Sequence, residues 1–127
     1  MIKEEDRLSK EIIGAAIEVH RHLGPGLLES AYEECLCKEL EIRDIAFERQ
    51  KALPVVYKGI TLDCGYKLDV VVENKVILEL KSVNNFESIH DAQLLTYLKL
   101  ADLKLGILVN FNVPILKKGI KRIVNNL

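Results

Sequence analysis

The stretch from Val70 to Val83, VVVENKVILELKSV, is the feature that most constrains how this chain folds. Two apolar runs flank the polar residues Glu73-Asn74-Lys75, a pattern typical of a β-hairpin with buried strands. The second run carries two charges, Glu79 and Lys81, which share one face of the strand because side chains alternate between faces. A charge that is buried without a partner costs several kcal/mol. This face therefore either looks into water or holds the two charges for chemistry.

The length of the turn decides which residues face each other across the hairpin. A three-residue loop at residues 73–75 places Asp69 opposite Glu79 on one face. The same register places Lys67 opposite Lys81, whereas a two-residue turn would send the two acids to opposite faces. Two carboxylates and two ammonium groups form a set that a divalent cation would organise. Oxygen ligands from Asp and Glu suit Mg²⁺ or Mn²⁺, and a nearby lysine could orient or deprotonate a bound water.

The periodicity around this hairpin predicts an α/β fold with a mixed sheet. Apolar residues at helical spacing predict three helices, over residues 8–23, 28–40 and 89–103. The first two could be a kinked pair or one helix broken at Gly24-Pro25-Gly26. Alternating or branched residues predict further strands at residues 45–47, 55–57, 60–62 and 105–110, and residues 117–124 close the chain. This order of elements predicts a central sheet flanked by helices.

Length and composition favour one globular domain over residues 1–127. Hydrophobic residues make up 49% and charged residues 29%, which is ordinary for a soluble protein. We find no apolar signal region and no apolar run of membrane-spanning length, so we expect a cytoplasmic protein without a membrane partner. The net charge of −1 argues against a protein that depends on nonspecific phosphate contacts. Any nucleic-acid role must therefore come from a local patch or a metal.

A basic cluster near the end of the chain is the one candidate for such a patch. Its members are Lys117, Lys118, Lys121 and Arg122. A solvated face is the default interpretation of a charge run, and a phosphate-contacting surface is the alternative.

Three motifs, in this order and at this spacing, resemble the PD-(D/E)XK nuclease superfamily. Asp69, a hairpin and then Glu79-Leu80-Lys81 match the signature of the superfamily. Gln93–Tyr97 matches the Q-x-x-x-Y motif of its branch that includes recombination exonucleases. Gly26–Tyr32, with the sequence GLLESAY, fits the motif that names the small GxxExxY family. The resemblance extends over nearly the whole chain.

This resemblance implies a restriction-endonuclease-like core and a metal-dependent nuclease, with DNA favoured over RNA as the substrate. Asp69 and Glu79 would ligate Mg²⁺ or Mn²⁺, with the Leu80 carbonyl as a third ligand. Lys81 would position the attacking water and stabilise charge on the phosphate. By the same resemblance, Glu29 is the helical acid that approaches the metal or its water shell.

Gln93 and Tyr97 would complete this site from a helix. They are four residues apart and are therefore neighbours on one helical face. Gln93 would complete the metal shell, and Tyr97 would brace Gln93 or touch the phosphate. Leu68 stands where the name of the superfamily has proline, at a position that varies widely in that superfamily.

Two alternatives to a nuclease stay open on the sequence. One is a nuclease fold retained as a non-catalytic binding or assembly module, acting as a homodimer or with a protein partner. The other is a metal-dependent hydrolase that acts on a small phosphorylated ligand.

Overall fold

A computed structural model describes residues 3–127, in which three α-helices surround a five-stranded sheet. The helices are α1 (Glu4–Leu23), α2 (Glu29–Ile42) and α3 (Ser88–Ala101). The strands are β1 (Phe47–Ala52), β2 (Val55–Tyr57), β3 (Ile60–Leu62), β4 (Lys67–Val72), β5 (Val76–Lys81), β6 (Leu105–Asn110) and β7 (Ile120–Val124). The predicted fold class, a mixed central sheet flanked by helices, is confirmed.

The strand order of the main sheet is β1-β4-β5-β6-β7, and β2 pairs with β3 in a separate two-stranded sheet. Strands β5 and β6 are parallel, whereas the other neighbours are antiparallel. Parallel neighbours need a crossover connection, and α3 provides it. The closing segment is a 3₁₀ turn at Leu116–Gly119 followed by β7.

The two faces of the sheet have separate hydrophobic cores. Helices α1 and α2 pack on one face against Val70, Val72 and Leu78, among others. Helix α3 packs on the other face, where Leu94 and Leu98 lie with Ile77 in the second core. Within residues 3–127, no helix combines the length and the apolar character needed to cross a bilayer.

The central hairpin has the register that a three-residue loop predicts. Val72 pairs with Val76, and the ladder between β4 and β5 continues to the pair Val70–Leu78. The ladder ends at that pair, so it includes neither of the predicted pairs, Asp69 with Glu79 and Lys67 with Lys81. The two strands separate beyond the pair Val70–Leu78, at the end of the hairpin away from the turn. The geometry at this separation defines the candidate site.

Strand β4 changes its orientation within the sheet at the point of separation. Leu68 and Val71 both belong to the core under α3, although residues three apart on a regular strand face opposite sides. Val70 belongs to the core on the other face, so the alternation is broken between Leu68 and Val70, at Asp69. Strand β1 shows the matching irregularity, because its pairing with β4 skips Gln50 opposite Asp69.

Candidate active site

The two acids of the central hairpin each bind the backbone of the opposite strand. The N–H of Asp69 donates to Glu79 Oε2 at 2.9 Å, and the N–H of Leu80 donates to Asp69 Oδ2 at 2.9 Å. Because a carboxylate has two oxygens, each acid keeps a second oxygen for another partner. The two carboxylates therefore converge where β4 and β5 separate.

Burial acts on both carboxyl groups, and the charge of Asp69 acts on Glu79. Glu79 is only 6% exposed, and its burial, together with the charge of Asp69, raises its pKa to about 8. Burial also raises the pKa of the half-buried Asp69, although the hydrogen bond from Leu80 opposes the shift. The charge of Lys81 lowers the pKa of both groups. A site in which two adjacent negative charges are costly favours a bound cation.

Lys81 ends β5 and is half-buried. Its carbonyl accepts a hydrogen bond from the N–H of Phe111 at 3.0 Å, on the side of β6. Successive strand residues direct their backbone groups to alternate neighbours, so Leu80 directs both its N–H and its carbonyl toward β4. The hydrogen bond from Leu80 to Asp69 agrees with this direction. The Leu80 carbonyl therefore faces the same gap as the two carboxylates.

Three further hydrogen bonds hold the chain that follows Lys81. The buried side-chain amide of Asn110 donates to the Val83 carbonyl at 2.8 Å and accepts the Val83 N–H at 3.1 Å. The Ser82 hydroxyl donates to the Leu27 carbonyl at 2.8 Å. Because Leu27 lies in the loop between α1 and α2, this bond brings the start of α2 to the end of β5.

Two of the acids of helix α2, Glu29 and Glu33, lie one turn apart, and their surroundings differ. Glu29 begins the helix and is exposed. Glu33 is buried, and its charge adds to the larger effect of burial in raising the pKa of Asp69 and Glu79. The acid of α2 that acts electrostatically on the two carboxylates is therefore Glu33.

Strand β1 holds Glu33 in place. Arg49 Nη2 donates to Glu33 Oε2 at 2.8 Å, and Gln50 Nε2 donates to Glu33 Oε1 at 2.8 Å. Gln50 has a φ of +49°, in the left-handed region that residues other than glycine rarely adopt. Gln50 is also the residue that the β1–β4 ladder skips opposite Asp69. Strand β1 thus links the buried acid of α2 to the break in the sheet.

The motif that begins at Gly26 and ends at Tyr32 shapes the loop before α2. Tyr32 is fully buried, and its hydroxyl donates to the Gly24 carbonyl at 2.6 Å and accepts the Leu27 N–H at 3.1 Å. Its ring stacks on Phe111 with 4.3 Å between centroids. Gly26 has a φ of +98°, a conformation that glycine adopts without steric cost. The motif therefore sets where α2 begins.

Helix α3 presents Gln93 and Tyr97 to one cleft of about 420 Å³. Gln93 is exposed, whereas Tyr97 is buried. Burial and, next to it, the charge of Glu79 raise the pKa of Tyr97, so the phenol lies within electrostatic reach of the acids. The helix can approach the sheet closely because Gly106 of β6 has no side chain. A Cβ atom at that position would lie only 2.7 Å from the Leu94 side chain.

The donor set fits a hard divalent cation. Within residues 3–127, no three His, Cys, Asp or Glu side chains are arranged to hold one metal ion. Magnesium is usually bound by one or two carboxylates and retains several waters, with substrate phosphates completing its shell. Asp69 and Glu79 supply two carboxylates, and the Leu80 carbonyl faces the same gap. Oxygen donors alone suit Mg²⁺ or Mn²⁺ better than a softer metal.

The basic cluster near the end of the chain is partly neutralised. Lys121 forms an ion pair with Asp91, and Arg122 pairs with Asp6 at 2.6 Å. These contacts favour the solvated-face interpretation for two of its four members.

Sequence reasoning did not single out Glu33, Arg49 or Gln50. One signal for Glu33 was available, because it lies four residues before Cys37 and seven before Leu40, and both of these face the core. No comparable signal marks the other two residues, whose partners lie sixteen and seventeen positions away in sequence.

Comparison with known proteins agrees with this geometry. A family model described as the PD-(D/E)XK nuclease superfamily matches residues 6–123. The comparisons with curated proteins and with solved structures gave no match. The match and the mixed five-stranded sheet together confirm the restriction-endonuclease-like core.

Proposed function

Because the chain belongs to the PD-(D/E)XK nuclease superfamily, we propose that it is a metal-dependent nuclease that hydrolyses phosphodiester bonds, with DNA as the favoured substrate. We assign it to the GxxExxY family on the Gly26–Tyr32 motif, with residues 1–127 acting as one domain. The observation that carries the proposal is the reciprocal bonding of Asp69 and Glu79 across the open hairpin, beside Lys81. The cytoplasmic location stays a prediction.

Asp69, Glu79 and the Leu80 carbonyl would hold Mg²⁺ or Mn²⁺, and Glu29 would reach its water shell from the start of α2. The ion would supply Lewis-acid activation of a water and neutralise charge on the phosphate. Glu33 would act as a positioning residue, because it is tied to β1 by Arg49 and raises the cost of leaving the two acids without a cation.

Lys81 and α3 would act on the scissile phosphate and the attacking water. The Lys81 backbone is held at the end of β5 by the N–H of Phe111, and its ammonium would orient the water and offset charge that develops on phosphate oxygens. Gln93 is exposed in the cleft, so its amide can donate to a phosphate or to a metal-bound water. Tyr97 would brace Gln93 or donate its hydroxyl to the phosphate.

A nuclease assay on purified protein tests this proposal. Single- and double-stranded DNA and RNA are incubated with the wild type in Mg²⁺, in Mn²⁺ and in EDTA. We expect cleavage that requires the divalent ion and is lost in Asp69→Asn. Asp63→Asn is the matched control, because Asp63 is exposed and its carboxylate accepts only the local Gly65 N–H among the contacts described. Absence of cleavage with either ion would contradict the nuclease and favour a non-catalytic module.

A further inference from the structure

A cleft lined in part by Gln93 and Tyr97 is large enough to hold a small organic group. Its volume is about 420 Å³, within the range of sites that bind small organic groups. Aromatic and aliphatic side chains form most of its wall, among them Tyr66, Tyr97, Ile89 and Leu100. The polar residues of the lining are Gln93 and Thr96.

Two tyrosines from different elements meet in this cleft. Tyr66 lies three residues before Asp69 and is 48% exposed. Its ring centroid is 6.0 Å from that of Tyr97, and the rings are tilted by 58°. A tilted pair leaves ring surface open to a third planar group, and Tyr66 is the exposed member.

The cleft lies near the candidate active site, because Tyr66 of its lining is three residues before Asp69 and Tyr97 is within electrostatic reach of both acids. Tyr97 lines the cleft, and besides its burial the negative charges of Glu79 and Asp69 help to raise the pKa of its phenol. A nucleotide whose phosphate lies at the acids would therefore have its base within reach of the cleft. Thr96 lies in the same lining, and its hydroxyl can donate to or accept from the polar edge of a base.

The charge of the protein favours stacking as a source of affinity. The net charge is −1, and Lys121 and Arg122 are already engaged with Asp91 and Asp6. Stacking of a base on an aromatic side chain contributes about 1–3 kcal/mol and does not depend on a basic surface. A base in a duplex is already stacked and paired, so it must be extruded before it can enter a lateral cleft.

We propose that the cleft bounded by Tyr66 and Tyr97 binds one unpaired base next to the cleaved phosphodiester, so that the substrate class is single-stranded nucleic acid. This inference rests on the proposed nuclease function of the same site. It adds a base-binding subsite and a preference for unpaired strands over a duplex.

A binding experiment separates the subsite from the chemistry. Single-stranded oligonucleotides that contain 2-aminopurine are titrated into protein carrying Asp69→Asn, in EDTA, so that no cleavage occurs. Fluorescence quenching reports stacking of the base. Adding Tyr66→Leu is expected to weaken binding by about 5- to 150-fold, whereas Tyr66→Phe keeps the ring and should bind within about 3-fold of the parent, because stacking needs only the aromatic face.

Tyr57→Leu is the matched control, because Tyr57 is an exposed tyrosine of β2 outside the lining of the cleft. We expect it to leave binding unchanged, and we expect a duplex of the same sequence to bind at least about tenfold more weakly. Equal losses in Tyr66→Leu and Tyr57→Leu, or equal affinity for the duplex, would overturn the subsite. A Tyr66→Leu loss that instead tracks dimer dissociation in sedimentation would also overturn it, in favour of a second copy of the chain.

Failure of the subsite and failure of the nuclease give different results. If Tyr66→Leu cleaves a single strand at the wild-type rate, the subsite is overturned and the proposed nuclease function is retained. Base binding that depends on Tyr66 without any cleavage would overturn the nuclease and support a module that binds single strands.

Discussion

The backbone N–H of Asp69 donates to the carboxylate of Glu79 at 2.9 Å, while the Asp69 carboxylate accepts the N–H of the residue that follows Glu79. Each acid is therefore oriented by main-chain atoms of the opposite strand. Main-chain donors move less than long side chains, so the site is preorganised before any cation binds. Substitutions that keep an acceptor oxygen should keep this arrangement.

Asp69→Asn is expected to fold normally and to melt no lower than the wild type without metal. Asparagine keeps a carbonyl oxygen for the Leu80 N–H and removes a charge that repels Glu79. Thermal melts in EDTA and in Mg²⁺ check this. The ion should raise the melting temperature of the wild type and of Asp63→Asn, but not that of Asp69→Asn. A large drop in EDTA would mark Asp69 as a structural residue.

The stability of the metal-free protein should fall as the pH rises from about 4.5 toward 8. Burial raises the pKa of Glu79 from 4.5 to about 8, so the folded protein retains a proton that the unfolded chain releases. The contribution of the Glu79 proton to the free energy of unfolding is fully present below the pKa of Glu79 in the unfolded chain. It is lost as the pH rises through the pKa of Glu79 in the folded protein. Urea denaturation across this range in EDTA measures the slope.

Glu79→Gln should flatten this pH dependence, because glutamine does not titrate. Glu41→Gln is the matched control at an exposed site, and it should retain the wild-type slope. Identical slopes for the wild type and Glu79→Gln would show that Glu79 does not cause the pH dependence.

Two substitutions in helix α2 are expected to differ in their effect on stability: Glu33→Gln should destabilise the protein, and Glu29→Gln should not. Glu33→Gln loses the charged partner of Arg49 and is expected to lower the free energy of unfolding by about 1–3 kcal/mol. Glu29 is exposed, so Glu29→Gln should change stability by less than about 0.5 kcal/mol. Urea denaturation gives both values, and cleavage in Mg²⁺ gives the activities.

Activity lost in Glu29→Gln at unchanged stability would support its role in the water shell of the metal. If Glu29→Gln cleaves like the wild type while Glu33→Gln loses activity at a temperature where it remains folded, the acid that serves the site is Glu33 alone.

The sequence could predict the approach of Asp69 and Glu79 because loop length fixes register in a hairpin. A three-residue loop before Val76 sets the pairing of Val70–Val72 with Val76–Leu78, and this pairing brings Asp69 and Glu79 to the same end of the ladder. The helical pair Gln93 and Tyr97 was predictable in the same way, from a period of 3.6.

The break in the sheet at Asp69 was not predictable from local pattern. It depends on the left-handed backbone of Gln50, which is nineteen positions away in the sequence, and on carboxylates that bind main-chain N–H groups at the gap. The burial of Glu33 has the same origin, because its charge is compensated only when β1 brings Arg49 to α2. Tertiary partners of this kind leave no periodic signal.

Lys81→Ala tests the central claim most directly. Lys81 is held at the end of β5 by the bond from Phe111 to its carbonyl, and that bond does not depend on its side chain. If its ammonium acts in the chemical step, single-turnover cleavage should slow by about 10²- to 10⁴-fold. Metal affinity measured by calorimetry should be retained or increase, because a repelling cation is removed. Lys99→Ala, at an exposed position of α3, should cleave like the wild type. Cleavage by Lys81→Ala at the wild-type rate, with metal bound, would contradict the account.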